Sequence, residues 1–302
     1  MTVEPIVYFD RYRKSLETEK VYGDAFLRWA YATAPGRLTL HTIVKRLWFS
    51  QWYGWRMNRA SSRAKIAPFI EAFDVDASEF AQPWDQFESF NDFFSRRLTS
   101  AARPIDSDPS SAVFPADGRH LCVPNLSKCD GLIVKGEVLD LPTLLRDAEL
   151  AKRYAQGSLL ISRLCPVDYH RFHFPVGGVA GTSRLLNGPL LSVNPIALRQ
   201  NIQILATNRR RLTVLESDRF GKVLLLEIGA TCVGGICQTY QAGARVEKGS
   251  EKGYFYFGGS STITIFEPNC IQFDDDLIEN SLQQRELYAR MGDHMGRLIA
   301  GR

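Results

Sequence analysis

Five histidines occur in the 302 residues, and two of them lie three apart in "CPVDYHRFHFPVGG", as His170 and His173. Such a pair can hold a metal ion, move protons, or simply be packed like any other core or surface side chain. The metal reading lacks a third ligand and the H-E-x-x-H form, so no metal site is expected. Acid–base work needs a nucleophile or a carboxylate from elsewhere in the chain. Asp117 in "FPADGRH" is the candidate carboxylate, because Pro115 and Gly118 would hold a short polar side chain in a fixed turn. An Asp-Gly pair is also an ordinary turn, and that reading stays open. On an ideal strand, residues three apart face opposite ways, so a site shared by both histidines requires a bend, which Pro175, Gly177 and Gly178 can supply.

A second feature is "GYFYFGGSSTITIF", residues 253–266, a strand pattern interrupted by Gly258, Gly259, Ser260 and Ser261. Aromatic and β-branched residues on both sides favour a pleated, half-buried surface. Glycines inside such a run mark a bulge, a tight bend or a close approach to the backbone. Small residues also dominate "GATCVGGICQT", residues 229–239, where they let another backbone come near.

The elements around these residues divide the chain into three parts. The first hundred residues read as helical, including "IAPFIEAFDVDASEF" and "SFNDFFSRRL", where Ser89 or Asn91 can cap a short helix. "TSAARPIDSDPSSAVFPADG" is a loop or boundary, and from about Val113 to Phe266 short β-prone runs alternate with Gly, Pro and Asn. A last amphipathic helix is expected from about Leu277 to Ile299, with Leu282, Leu287, Met291, Met295 and Leu298 on its apolar side. The expected class is α+β: an N-terminal helical segment, a central, mainly antiparallel β core and a short C-terminal helix. The domain division is 1–100 and 101–302.

Charge is unevenly distributed. Between Ala25 and Ile70 there are eight Lys or Arg residues, no Asp or Glu, and four of the five tryptophans, although the whole chain carries only +4. Leu40, Ile43, Val44, Leu47, Trp48, Trp52 and Trp55 share one helical face, with Lys45, Arg46 and Arg56 off it. This pattern suits a basic amphipathic helix lying on an anionic membrane, and equally an ordinary helix facing a core. No nucleic-acid signature accompanies the basic residues, so no nucleic-acid partner is expected. No apolar run is long enough to span a bilayer, and no cleavable secretory signal is visible. Six scattered cysteines without a C-x-x-C pair fit reduced thiols better than a disulfide framework.

"SFNDFFSRRL", "ARPID", "PADG", "DYHRFHFPVGG", "LLSVNP", "GATCVGGI" and "KGSEKGYFYFGGSSTITIF" occur in the order and approximate spacing of the phosphatidylserine decarboxylase proenzymes, which the chain resembles over nearly its whole length. It is most similar to the bacterial branch with a GGSS cleavage site. The resemblance implies self-cleavage between Gly259 and Ser260 into a β chain, 1–259, and an α chain, 260–302, which remain partners. Carried over by position, it makes Ser260 the nucleophile, with His173 and Asp117 completing a Ser-His-Asp relay. It also makes the residue left at 260 a covalent pyruvoyl cofactor that condenses with the substrate's amine, and gives His170 the protonation step of decarboxylation.

The implied reaction turns phosphatidylserine into phosphatidylethanolamine and carbon dioxide, within phospholipid biosynthesis, with no external cofactor or metal. Phosphatidylserine in the membrane is the implied partner, and the implied location is the cytoplasmic face of the cell membrane, peripherally bound through Lys45, Arg46, Trp48, Trp52, Trp55 and Arg56. A soluble amino acid as substrate, an uncleaved membrane-binding scaffold and a homodimer stay open as alternatives.

Overall fold

A computed structural model describes residues 5–21, 29–30, 33–39, 42, 46–129, 131, 136–231, 235–258 and 260–299. The β-prone runs of the middle of the chain join one sheet of eleven strands. At its centre the strand Ser260–Phe266 lies between Gly221–Gly229 and Ser158–Leu164, antiparallel to both. Next to Ser158–Leu164 comes Gly118–Val123, followed by Glu286–Ala289. The central strands are buried on both faces, so they read as nearly continuous apolar runs, and alternation decides which core each side chain joins. Leu224, Leu226, Ile161, Ile263 and Ile265 join one core with Leu144 and Leu145 from the helix Leu141–Leu145. Val223, Leu225, Leu160 and Phe266 join another on the opposite face, with Phe114, Phe174 and Leu277.

Two three-stranded sheets complete the β structure among the described residues. One consists of Ile236–Gln238, Glu251–Phe255 and Arg171–His173, and the other of Ile271–Phe273, His294–Leu298 and Ser111–Val113. The two halves of the 253–266 pattern therefore belong to different sheets. Glu251–Phe255 ends in the smaller sheet, the chain crosses, and Ser260 begins the centre of the large one. Gly258, at the crossing, has φ +135°, a conformation that side-chain-bearing L-residues rarely adopt.

The α+β class is the one expected, but both ends differ from their sequence patterns. Residues Val7–Asp10 and Ser15–Thr18 form a hairpin, so the first hundred residues are not wholly helical. Val7, Tyr8 and Phe9 favour a strand, and Val7–Asp10 pairs in parallel with Glu286–Ala289. The hairpin's charges find partners far along the chain. Arg11, for example, donates to Asp276 at 2.7 Å. At the other end the helix covers only Asp275–Leu282 and gives way to the strands Glu286–Ala289 and His294–Leu298. Leu287, Met291 and Met295 are buried as the sequence suggests, but in strands and a turn. The turn contains Gly292 at φ +92°, which no helix accommodates.

Among the N-terminal helices, Phe90–Phe94 begins at Ser89, whose Oγ accepts from the Asp92 N–H at 3.2 Å. Leu47–Met57 is an eleven-residue helix. Its expected companions Leu40, Ile43, Val44 and Lys45 lie outside the described residues.

Buried charge joins the N-terminal segment to the central sheet. Arg163 binds Glu19 at 2.6 Å and Glu286, and Arg119 binds Asp168. Burial opposes the charge on Glu19, but Arg163 and Arg119 hold its carboxyl down at about 2. That contribution is present above the usual carboxylate value of 4.5 and is lost as pH falls toward 2. Arg163→Ala removes Glu286's buried partner and leaves Glu19 with Arg119 alone, so urea unfolding at pH 7 should show a loss of ~3–5 kcal/mol.

Candidate active site

Ser260 lies directly across the sheet from Leu164 on one side and Gly229 on the other. Cross-strand partners share a face. Leu164 packs with Ala116, Phe172 and Phe255, so Ser260 faces the smaller sheet that carries His173. Ser261 pairs with Arg163 and Ile228 and is in phase with Ile263 and Ile265, which places it on the opposite face. Adjacent in sequence, the two serines are separated by the pleat. Gly259 lies outside the described residues.

His170 and His173 flank the short strand Arg171–His173 and are both buried. The bend at Pro175 follows them and leads the chain on to Gly178–Ala180 in the large sheet, so their common neighbourhood does not depend on it. His170 Nδ1 lies 2.9 Å from the Asp168 carbonyl, which can only accept, so the proton sits on Nδ1 and Nε2 presents a lone pair. Its ring centroid is 3.8 Å from that of Phe94. Burial pushes its pKa down to about 3. His173 is anchored by its backbone N–H to the Pro115 carbonyl at 2.7 Å and stacks on Tyr169. Burial lowers its pKa to about 4, so both imidazoles are neutral at pH 7.

Four buried polar atoms on this side have no hydrogen-bond partner among the described residues: His170 Nε2, His173 Nδ1 and the hydroxyls of Ser260 and Thr262; the Ser261 hydroxyl, on the opposite face, has none either. Leaving such a group unpaired costs ~1–3 kcal/mol, which marks a place built for something other than stability. A void of about 10 Å³ borders His173, Thr262, Glu227 and Lys252, at the lower limit for one water molecule.

Asp117 is fully buried, but its carboxylate is held by Arg103, through Nε at 2.9 Å and Nη2 at 2.6 Å, and by the Met291 N–H at 2.9 Å. It makes no hydrogen bond to His173, although its charge, after that of Glu251, favours the protonated imidazole. The sequence reading brings Asp117 and His173 into one region but does not anticipate Arg103 as the group that holds the carboxylate.

Other residues near the site also escaped it. Lys252 Nζ meets Glu227 at 2.8 Å and Gln238 at 2.8 Å, with the ion pair almost wholly buried. Burial pushes Glu227 up and Lys252 down. A glutamate inside the apolar run "VLLLEIG" is the signal that could have revealed it. Asn91 Oδ1 accepts from the Phe257 N–H at 2.8 Å, for which no sequence signal exists. Of the basic tryptophan segment, Trp48, Trp52 and Trp55 are 57%, 46% and 54% exposed on one side of their helix. They face solvent, and the guanidinium of Arg56 lies over the Trp52 ring, not apart from the aromatic face. Arg46 is exposed.

A family model described as phosphatidylserine decarboxylase matches residues 90–297, more than half of the chain. The chain belongs to the phosphatidylserine decarboxylase family. A phosphatidylserine decarboxylase proenzyme of Fusobacterium nucleatum subsp. nucleatum is 42% identical over 296 residues, covering 98% of this chain and 99% of its own. Proteins of the same name from Chlamydia muridarum and Clostridium kluyveri are each 42% identical, over 98% and 96% of this chain and 99% and 98% of theirs. Similarity to these phosphatidylserine decarboxylase relatives thus extends beyond residues 90–297 into the N-terminal hairpin and the tryptophan helix.

The neutral histidines make stability depend on acid. His120, His170 and His173 have folded values of about 3, 3 and 4, below the ordinary 6.5, so the unfolded chain binds their protons more readily. Their contribution is whole above pH 6.5 and is lost as pH falls through 5 toward 3. Urea unfolding of the Ser260→Ala chain should show a loss of about 2 kcal/mol per histidine between pH 7 and 5.

Proposed function

We propose that this chain is a self-processing, pyruvoyl-dependent decarboxylase that converts phosphatidylserine to phosphatidylethanolamine and carbon dioxide, and that it cuts itself between Gly259 and Ser260. The observation that carries the site assignment is that His170, His173 and Ser260 each keep a buried polar atom without a partner among the described residues, with Ser260 at the start of a central strand. The near-full-length similarity to proteins named phosphatidylserine decarboxylase proenzyme supports the reaction.

Self-cleavage needs a hydroxyl, a base and a susceptible carbonyl. Ser260 Oγ adds to the Gly259 carbonyl carbon as its proton passes to His173, whose neutral imidazole has an unengaged Nδ1. Asp117, clamped by Arg103, stabilises the imidazolium through space. The proton moves on to the Ser260 nitrogen as the C–N bond breaks, leaving an ester. Loss of the Ser260 Cα proton then breaks the Cβ–Oγ bond, releases the Gly259 carboxylate and leaves dehydroalanine. Water replaces its nitrogen, giving the pyruvoyl group and ammonia.

The surroundings fit that group, because the Ser260 hydroxyl has no partner to lose. A pyruvoyl carbonyl supplies an electron sink for decarboxylation, as pyridoxal phosphate does in other enzymes. His170 serves the protonation step. With its proton on Nδ1, it must first take one at Nε2, which has no hydrogen-bond partner among the described residues and lies near the Gly258 backbone. Burial among aromatic side chains keeps water away from both imidazoles.

The substrate sits in a bilayer, and the exposed face of Trp48, Trp52 and Trp55, with Arg46 and Arg56, suits the headgroup region of an anionic leaflet. No helix among the described residues is long and apolar enough to cross a membrane. The exposed tryptophans with Arg46 and Arg56 support peripheral attachment at the cytoplasmic face.

Intact mass measurement should find residues 260–302 as a separate 43-residue chain bearing pyruvoyl. Ser260→Ala should remain whole and release no carbon dioxide from phosphatidylserine vesicles; a cut Ser260→Ala chain refutes the assignment. His170→Ala should cut itself yet lose at least ~100-fold in decarboxylation. Replacing Trp48, Trp52 and Trp55 together by Ala should abolish co-sedimentation with anionic vesicles while leaving self-cleavage intact.

A further inference from the structure

Between the smaller sheet and Ser260, the chain is held residue by residue. The Phe255 N–H donates to the His170 carbonyl at 3.0 Å and the Tyr256 N–H to the Gly235 carbonyl at 3.2 Å. The Phe257 N–H, beyond the end of its strand, donates to a side chain, Asn91 Oδ1, at 2.8 Å. Ser260 is then fixed in the ladder of the central sheet. Only residues 258 and 259 separate the two clamps, and they contain the carbonyl that Ser260 must attack on the reading above.

Asn91 is 2% exposed and is itself held from behind. Its Nδ2 donates to Asn58 Oδ1 at 2.8 Å and to the Gly54 carbonyl at 3.4 Å. These acceptors orient the amide: with donors committed to Asn58 and Gly54, only the oxygen can turn to Phe257. Gly54 belongs to the helix that bears the exposed tryptophans, and Asn58 follows its end. The Phe257 ring packs against the same region, 5.7 Å from Tyr53 and 4.9 Å from Phe94.

We propose that Asn91 is a positioning residue for self-cleavage: through Phe257 it sets where the residue 259 carbonyl lies relative to Ser260, and Asn58 fixes the direction of its amide. The inference rests on the Gly259–Ser260 cut proposed above. An attack on a neighbouring peptide group depends on near-attack geometry, and a displacement of about 1 Å costs on the order of 100-fold in rate. Without the Asn91 oxygen the Phe257 N–H loses this acceptor, and the crossing segment loses the clamp nearest to the scissile carbonyl.

The test follows newly synthesised full-length precursor by intact mass over time, with thermal melting of each variant in a Ser260→Ala background. Asn91→Ala should cut ~10–100-fold more slowly than wild type. Asn91→Asp keeps an acceptor for the Phe257 N–H while burying a charge. It should therefore melt lower than Asn91→Ala and yet cut faster, because a merely structural role ranks the two variants the same way in both measurements. Asn58→Ala, which frees the amide to turn, should also slow cutting in a folded chain and decides the matter if Asn91→Ala does not fold. Wild-type rates in Asn91→Ala, or in Asn58→Ala where Asn91→Ala does not fold, overturn the role of Asn91 alone. An uncut wild-type chain overturns the cleavage reading with it.

Discussion

The structure depends on the strand Ser260–Phe266 being held on both sides and buried on both faces. Its backbone pairs with Gly221–Gly229 and Ser158–Leu164 along its whole length, and Ile263, Ile265 and Phe266 enter opposite cores. A segment anchored in this way does not need its preceding peptide bond to stay in place. Each buried apolar side chain contributes ~1.5–3 kcal/mol, and neither that nor the ladder passes through residue 259. The other flank is secured independently in a second sheet, so a cut at the crossing divides the covalent chain but not the fold.

The same burial sets the electrostatics of the site. Desolvation, more than any charged neighbour, brings His170 and His173 down to about 3 and 4. Each is thereby a neutral base at physiological pH with one ring nitrogen uncommitted. Asp117 is held at the same place by Arg103 and the Met291 N–H. The folded protein thus carries unpaired hydroxyls and imidazole nitrogens whose cost ordinary packing does not repay.

The helix Leu47–Met57 connects this interior to the outside. Its tryptophans face solvent, while Tyr53, Met57 and the Gly54 carbonyl face the aromatic cluster around Phe90, Phe94 and Phe257. One element therefore presents an apolar, cationic surface outward and touches the crossing segment inward.

Composition and periodicity were enough to establish an α+β chain with a β centre, because strands buried on both faces leave long Val, Leu and Ile runs that few other arrangements explain. The order of the motifs around Asp117, His170, His173 and Ser260 made the family legible, because each motif is a contiguous run of residues. Periodicity misled where long-range pairing outweighs it, in the hairpin Val7–Thr18 and after Leu282, since helical spacing and burial in strands and turns can coincide over a few residues. What "GGSS" means residue by residue was decided only in three dimensions. The pleat turns Ser260 and Ser261 to opposite faces, the two strands of one sequence pattern enter different sheets, and Arg103 and Asn91 reach Asp117 and Phe257 through contacts that their own motifs do not specify. Side-chain hydrogen bonds across 14 and 166 residues leave no local pattern, because they follow from how the layers stack and not from how any one segment is composed.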